Sequence, residues 1–297
     1  MSDNIQRFSF AELPIRGEII SLTKTIDTIC DQHQYPKEVR HLLAESLAAC
    51  CLLADIIKIE GRVSLQLQSA SVIKLLLVEC DNQGRMRGLL HINEEYEHLI
   101  NSDPFNFKQW VANGQLAITI DPDKGQRYQG VVPLDQMTLA ECLEDYFNMS
   151  EQLPTHIKIF ADHHKAFGIF IQTLPQAADS SIGNEDTQQA FEHVTALTET
   201  VKQEEAFELS HEELLYRLFH QDEVSIYPEK TLKFECSCSR ERNMAALTTL
   251  DPAELVSLVE EQNEIEMVCD FCSNKEIFNR QQIMELLISE ADQGVIN

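Results

Sequence analysis

A chain of 297 residues has room for about two domains, and its 43% apolar content is enough for a real core. Forty-nine acidic residues against 23 basic ones leave a formal charge of -26, which repels phosphate backbones and argues against a nucleic-acid reader. Met1 to Phe10 carries no apolar signal core and no run is long enough to cross a bilayer, so the expectation is a soluble, cytoplasmic protein without membrane partners.

The first 175 residues read as one α+β domain, a core of sheet and helix. An apolar stretch (Ile19, Ile20, Leu22) follows Arg16-Gly17 and runs into a helical pattern through Ile26 and Ile29. A stronger helix starts near Pro36; Val39, Leu42, Leu43, Ser46, Leu47, Cys50, Leu53, Ala54 and Ile57 give it one broad apolar face. Beyond Gly61-Arg62, the alternation of Val63, Leu65 and Leu67 predicts a strand. Strands are also expected over Val72 to Glu79 and Met86 to Ile92, joined by the turn Asp81-Asn-Gln-Gly84. Leu116, Ile118 and Ile120 alternate again before the turn Asp121-Pro-Asp-Lys-Gly125, with a return strand through Tyr128, Gly130 and Val132. Thr138 and Glu141 have capping-box spacing at the head of a helix. A final hairpin, His156 to Phe160 with Phe167 to Thr173, closes around Asp162-His-His-Lys165.

Residues 176 to 230 read as a metastable helical linker. Ala177 to Gln189 is small and polar without periodicity, as at the start of a flexible segment. Phe191, Val194, Leu197 and Val201, then Leu214, Leu215, Leu218 and Phe219, give a marginal amphipathic pattern in acidic surroundings. Such a segment folds when docked and melts when released.

Residues 231 to 297 form a small C-terminal domain organised on two cysteine pairs, Cys236-Ser-Cys238 and Cys269-Asp-Phe-Cys272, 30 residues apart. Four thiols able to converge on one tetrahedral ion favour zinc, since soft thiolates close its shell without water. The first pair is C-x-C where zinc ribbons commonly have C-x-x-C. Close pairs can also oxidise to local disulfides, so the four residues read either as a structural clamp or as a switch. Lys233, Arg240 and Arg242 would favour thiolates there, or simply solvate a domain edge. Helix starts are expected at Asp251-Pro252-Ala-Glu254 and at Asn279 to Gln282, with Leu250/Leu255 and Phe278/Ile283 as apolar staples. About 60 residues rarely fold without a clamp, so this piece is expected to unfold when metal is removed.

Nine cysteines is an odd number, and Cys30, Cys50, Cys51, Cys80 and Cys142 are scattered, as in a reducing compartment. Cys50 and Cys142 fall on apolar helix faces and read as packing; His163-His164 read as a solvated turn. The sequence has no Walker loop, no G-x-S-x-G elbow and no H-E-x-x-H, and no catalytic constellation replaces them, so an enzyme is not expected.

In combination these residues resemble the redox-regulated 33-kDa heat-shock chaperonin family of bacteria. The resemblance rests on Phe-Glu-Cys236-Ser-Cys238-Ser-Arg240-Glu-Arg242, the 30-residue spacer and Val268-Cys269-Asp-Phe-Cys272. It extends to Arg16-Gly17-Glu18, Asn113-Gly114, Arg127-Tyr-Gln-Gly-Val131, Leu143-Glu-Asp-Tyr-Phe147, Ser150-Glu-Gln-Leu-Pro154 and Ala196-Leu-Thr-Glu-Thr200, and so covers nearly the whole chain. Departures are confined to turns: Gln68-Ser-Ala-Ser71 lacks the glycines often found there, and Ala166-Phe167-Gly168 has one glycine where a pair is common.

The resemblance implies an ATP-independent holdase. In the reduced state Cys236, Cys238, Cys269 and Cys272 would hold one Zn2+ per chain, keeping the linker folded on the N-terminal core and dimerisation domain. Oxidation would form Cys236–Cys238 and Cys269–Cys272, eject zinc, melt the zinc domain and linker, and expose apolar surface to unfolding client proteins. The oxidised form would be a homodimer. Phe191, Val194, Leu197, Leu214, Leu218 and Phe219 are the candidate client-binding residues. A thiol-disulfide oxidoreductase using Cys269-x-x-Cys272 and a passive zinc-stapled adaptor are the rival readings.

Overall fold

In a computed structural model of the chain, residues 2–57, 59–100, 105–175 and 184–294 are described, and they fall into two compact units that meet in sequence at Glu235/Cys236. The architecture is mixed α+β, as the alternating and helical patterns predict.

The first unit opens with β1 (Asn4–Phe10), β2 (Ile15–Leu22), α1 (Lys24–His33) and α2 (Lys37–Ile56). The hairpins expected from alternation follow as β3 (Gly61–Gln68), β4 (Ile73–Asp81) and β5 (Arg85–Ile92). Two short helices, α3 (Glu97–Ile100) and α4 (Phe107–Trp110), precede β6 (Gln115–Pro122) and β7 (Tyr128–Pro133). Next come α5 (Leu139–Ser150), β8 (Thr155–Ala161) and β9 (Ala166–Thr173). At the head of α5 the Glu141 N–H donates to Thr138 Oγ1 at 3.2 Å, and the Thr138 N–H donates to Glu141 Oε2 at 3.1 Å. This is the reciprocal box that the spacing predicts.

Two sheets enclose α2. One has the order β1-β2-β9-β8, all antiparallel, and the other the order β5-β4-β3-β6-β7. Each apolar residue of β3 is registered between neighbours, Leu65 facing Val78 on one side and Ile118 on the other. The helix packs on β2, β8 and β9 of one sheet and on β3, β4 and β5 of the other. Every residue from Leu42 to Ile56 is therefore buried, where periodicity indicated a single apolar face. Glu45 and Asp55 are carried in with the rest, and burial lifts the Glu45 carboxyl to about 7.

β1 is invisible to the apolar pattern because Asn4, Gln6, Arg7 and Ser9 interrupt it. Its polar residues reach partners across the fold: Arg7 Nε donates to Asp55 Oδ2 at 2.6 Å and Gln6 Nε2 to the Tyr227 carbonyl at 3.0 Å, while Gln6 Oε1 is buried without a partner. Its other face presents Phe8 and Phe10, and a side chain at Gly17 on the neighbouring strand would collide with the Phe8 ring.

That outer face is covered by α6 (Asn184–Glu199), α7 (Gln203–Glu208) and α8 (His211–Phe219). The nonperiodic stretch expected over 177–189 lies partly outside the described residues; from Asn184 onward it is helical, with Glu185 and Asp186 favourably placed in the first turn. The chain then returns as β10 (Val224–Ile226) and β11 (Lys230–Thr231), both antiparallel to β1, and β12 (Lys233–Phe234), parallel to β5. Gly84, at φ +77° in the β4–β5 turn, makes room for this strap: a Cβ there would lie 2.6 Å from the Thr231 carbonyl oxygen.

The second unit contains α9 (Arg240–Leu247), α10 (Pro252–Gln262), the hairpin β13 (Glu264–Val268) with β14 (Lys275–Asn279), and α11 (Arg280–Gly294). Asp251 caps α10 by accepting from the Ala253 N–H at 2.8 Å, and Pro252 occupies the first helical position. Phe278 and Ile283 are fully buried, as expected of the staple pair, and the Asn279 and Gln282 side chains and backbones cap one another at 3.0 Å. Leu255 is buried, whereas Leu250 is exposed.

Candidate metal centre

The four clustered thiols sit on two turns of the second unit. Cys236 and Cys238 immediately precede α9, whose N-cap Ser239 accepts from the Arg242 N–H at 3.2 Å. Cys269 and Cys272 occupy the tip of the β13–β14 hairpin. There the Cys269 N–H donates to the Asn274 carbonyl at 2.9 Å, and the Ser273 N–H donates to the Cys269 carbonyl at 2.8 Å. Ser273 completes the tight turn with φ 55°.

These turns bring the four sulfurs together, all within 4.8 Å of one another. Cys236 Sγ is 3.7 Å from Cys269 Sγ, and Cys238 Sγ is 3.4 Å from Cys272 Sγ. A tetrahedral tetrathiolate with metal–sulfur bonds of about 2.3 Å has sulfur–sulfur edges of about 3.8 Å, so the donor set and its span fit one metal ion. All four are half-buried.

Without an ion, the thiols share protons unequally. Burial pushes Cys236 up, but hydrogen bonds from the Cys238 N–H and from the Cys238, Cys272 and Cys269 thiols outweigh it and hold Cys236 below its ordinary value. Cys238 is pushed well up and Cys272 up to about 11, in both cases chiefly by burial. A bound cation would override that inequality by stabilising every thiolate.

The neighbouring arginines brace the turns. Arg240 donates to Glu276 Oε2 at 2.7 Å, to the Ile277 carbonyl and to Gln282 Oε1, both at 3.1 Å, and stacks 4.4 Å from the centre of the Phe278 ring. Arg242 donates to the carbonyl and hydroxyl of Ser237, between the two ligands of the first pair. Lys233 pairs with Glu235 at 2.6 Å. Beneath the thiols lies a core of only Leu247, Leu255, Val259, Phe278 and Ile283 fully buried among the described residues, too small to hold such a unit alone.

The other five cysteines are buried in the first unit. Cys50 Sγ donates to the carbonyls of Val63 at 3.4 Å and Val78 at 3.7 Å, and burial pushes its thiol well up, as for an inert packing residue.

The six linker residues named above lie against the outer sheet face. Val194, Leu214, Leu218 and Phe219 are fully buried among Phe8, Phe10, Ile15, Ile19, Phe167, Ile169 and Ile171, with Phe191 and Leu197 half-buried beside them. The Phe219 ring meets Phe10 edge-on at 5.1 Å. Three polar fasteners had no sequence signal beyond residue type: Lys230 to Asp55 at 2.8 Å, His211 Nε2 to Ser21 Oγ at 2.9 Å, and Asn4 Nδ2 to Glu229 at 2.6 Å. Each joins residues 175 to 225 positions apart, which no local pattern reveals. Among the described residues no helix is long and apolar enough to cross a membrane.

Comparison with known proteins gives one consistent result. The model of the family described as Hsp33 protein matches residues 3–279. A 33 kDa chaperonin of Shewanella sp. (strain ANA-3) is 39% identical over 279 residues, covering 94% of this chain and 93% of the relative. A 33 kDa chaperonin of Enterobacter sp. (strain 638) is 40% identical over 288 residues, covering 96% and 94%. The crystal structure of the 33 kDa chaperonin (heat shock protein 33 homolog) from Thermotoga maritima superposes with a TM-score of 0.80. It covers 98% of this chain and 99% of the other at 20% identity, which establishes the shared fold.

Proposed function

The chain belongs to the Hsp33 family and is a chaperone, and we propose that it is an ATP-independent holdase switched by oxidation of Cys236, Cys238, Cys269 and Cys272. The observation that carries this reading is the convergence of four thiols, at metal-binding span, on a unit whose own core is very small. Soft sulfur donors in a closed set of four select one Zn2+ per chain, bound in the reduced state. Metal binding of this kind contributes about 10–16 kcal/mol in small modules, which exceeds the whole stability of many domains. The unit is therefore folded when loaded and unfolded when emptied.

Oxidation empties it. Two thiols and one molecule of hydrogen peroxide give one disulfide and two of water, and a disulfide sulfur no longer binds zinc as a thiolate does. Two such steps form Cys236–Cys238 and Cys269–Cys272. The linker then undocks and uncovers the apolar cluster that it now shares with the sheet, including Phe8, Phe10 and its own Leu214 and Phe219. A contiguous apolar surface of that kind captures unfolding proteins, the net charge of -26 keeps the open form in solution, and the first unit supplies a homodimer contact. We assign the protein to the cytoplasm, with stoichiometric binding and no catalysis.

The test is light scattering from an aggregating client at heat-shock temperature, with reduced or peroxide-treated protein and zinc release followed in parallel. Suppression only after oxidation, with zinc lost and suppression reversed by reductant, is the expected result. Equal behaviour of both forms with zinc retained would overturn the switch.

A further inference from the structure

Arg16, Gln172 and Thr155 stand side by side on β2, β9 and β8, in the registers Arg16↔Gln172 and Thr155↔Gln172. Their side chains make one hydrogen-bonded row. The Thr155 hydroxyl donates to the Leu153 carbonyl at 2.9 Å and accepts from Gln172 Nε2 at 2.9 Å. That fixes the Gln172 amide with its oxygen toward Arg16, whose Nη2 donates to it at 2.6 Å. Gln172 is 1% exposed and Thr155 5%, so the row is built into the fold.

The row leaves a half-buried cation facing a neutral acceptor. Arg16 Nε is buried with no hydrogen-bond acceptor. Glu18, two residues along β2, acts on Arg16 only through space and pairs instead with Arg7, whose Nε lies 3.3 Å from Glu18 Oε1; among the described residues no carboxylate is within ion-pair distance of Arg16. Charges taken out of water are ordinarily paired, so Arg16 lacks a counterion.

Arg16 lines a slot of about 350 Å³ whose other walls include Leu53, Ile118, Ile120, Phe147 and Leu153. This size falls within the range of small-molecule sites, which are mostly apolar with a few oriented polar groups. The guanidinium offers a planar edge that matches a carboxylate. Glu151, exposed, is the acidic residue of the lining and selects against a second negative charge.

We propose that this slot binds a small amphipathic monocarboxylate, its head accepting from Arg16 and its alkyl or aryl body lying among Leu53, Ile118, Ile120 and Phe147. The site lies wholly in the first unit and owes nothing to the thiol centre. Arg16 thereby acquires a ligand-binding role, while its neighbour Gly17 makes room for the Phe8 ring.

The experiment is calorimetric titration of octanoate into the reduced full-length protein, with 1-octanol as the uncharged counterpart. Saturable 1:1 binding of octanoate is expected, with octanol at least about tenfold weaker. Arg16→Gln should weaken octanoate by a similar factor, and Ile120→Trp, which fills the slot, should abolish binding. Absence of saturable octanoate binding, equal affinity for octanol, or binding unaffected by Ile120→Trp would overturn the proposal. If Arg16→Gln fails to fold, the octanoate–octanol difference on the unmodified chain decides the matter.

Discussion

Lys230, in the strap that follows the linker, places its ammonium 2.8 Å from the carboxylate of Asp55, near the C-terminal end of the enclosed helix α2. Asp55 also accepts from Arg7 Nε at 2.6 Å and, through its carbonyl, from Arg7 Nη2. One buried carboxylate thus ties the strap to both the helix and β1. Lys230→Met removes a pair with a partly exposed partner and is expected to weaken strap docking by about 1 kcal/mol. Asp55→Asn removes the charge that Lys230 and Arg7 share, leaving Arg7 its Glu18 partner at 3.3 Å, and should cost more than the lysine change, about 2 kcal/mol. Hydrogen exchange of amides 224–234 reads both; equal protection in all three proteins would remove the fastener from the account.

His211 gives docking a pH dependence. It is 4% exposed, its Nε2 shares a hydrogen bond with Ser21 Oγ, and burial, opposed weakly by Glu229, holds its pKa at about 4. Released into water the imidazole returns to about 6.5. A base whose docked pKa is depressed contributes its full share above the released value and loses it as pH falls. Docking should therefore weaken between about pH 6.5 and 4, by about thirtyfold at pH 5. Linker protection measured against pH, with metal content followed in the same samples, checks this, and His211→Gln should flatten the profile.

Leu214 and Leu218 are at most 4% exposed against Phe8, Phe219 and their neighbours. Replacing both by Ser opens cavities and buries hydroxyls, at about 3 kcal/mol or more for each position. The reduced protein should then show an undocked linker without oxidant, by proteolysis between residues 199 and 224. If these side chains also touch clients, the oxidised double variant should lose capacity in the light-scattering assay. Unchanged capacity would remove them from the client surface.

What the sequence made legible was whatever local periodicity records. The alternation of Val63, Leu65 and Leu67, the Thr138–Glu141 box and the paired cysteines all appear where the spacing placed them. β1 was not legible, because Asn4, Gln6, Arg7 and Ser9 interrupt its apolar pattern and the groups that pair with them, Glu229, Tyr227 and Asp55, are distant in sequence. The strap was equally hidden: β11 and β12 are two residues each, too short for an alternating pattern, and they pair with β1 and β5, which are distant in sequence. The thiol quartet was readable from spacing, but Arg240 and Arg242, which look like electrostatic partners of the cysteines, are hydrogen-bonded into the turns that carry them.

Metal removal should separate the two units. With five fully buried apolar side chains at its core, the second unit is expected to lose its α9, α10 and hairpin structure when a strong chelator takes the ion. The first unit, with α2 enclosed between two sheets, should keep its melting transition. Circular dichroism of the full chain, with and without chelator, shows whether only the smaller fraction of helix is lost. Retention of the complete spectrum would show that the thiol cluster is not the clamp.

The identity of the first disulfide reports the order of events. Across the two turns of the folded unit, Cys236 Sγ lies 3.7 Å from Cys269 Sγ and Cys238 Sγ lies 3.4 Å from Cys272 Sγ. Oxidation within the intact fold can therefore join those long-range pairs as well as the short-range pairs Cys236–Cys238 and Cys269–Cys272. The C-x-C bridge in particular is near the limit of allowed geometry and suits an open chain better than a capped helix start. Peptide mapping by mass spectrometry, after brief peroxide exposure below and at heat-shock temperature, separates the routes. Short-range pairs forming faster at the higher temperature would mean that local unfolding gates the oxidation. Cross-turn pairs at both temperatures would mean that the thiols oxidise in place, and that linker release then needs a cause other than loss of the fold around them.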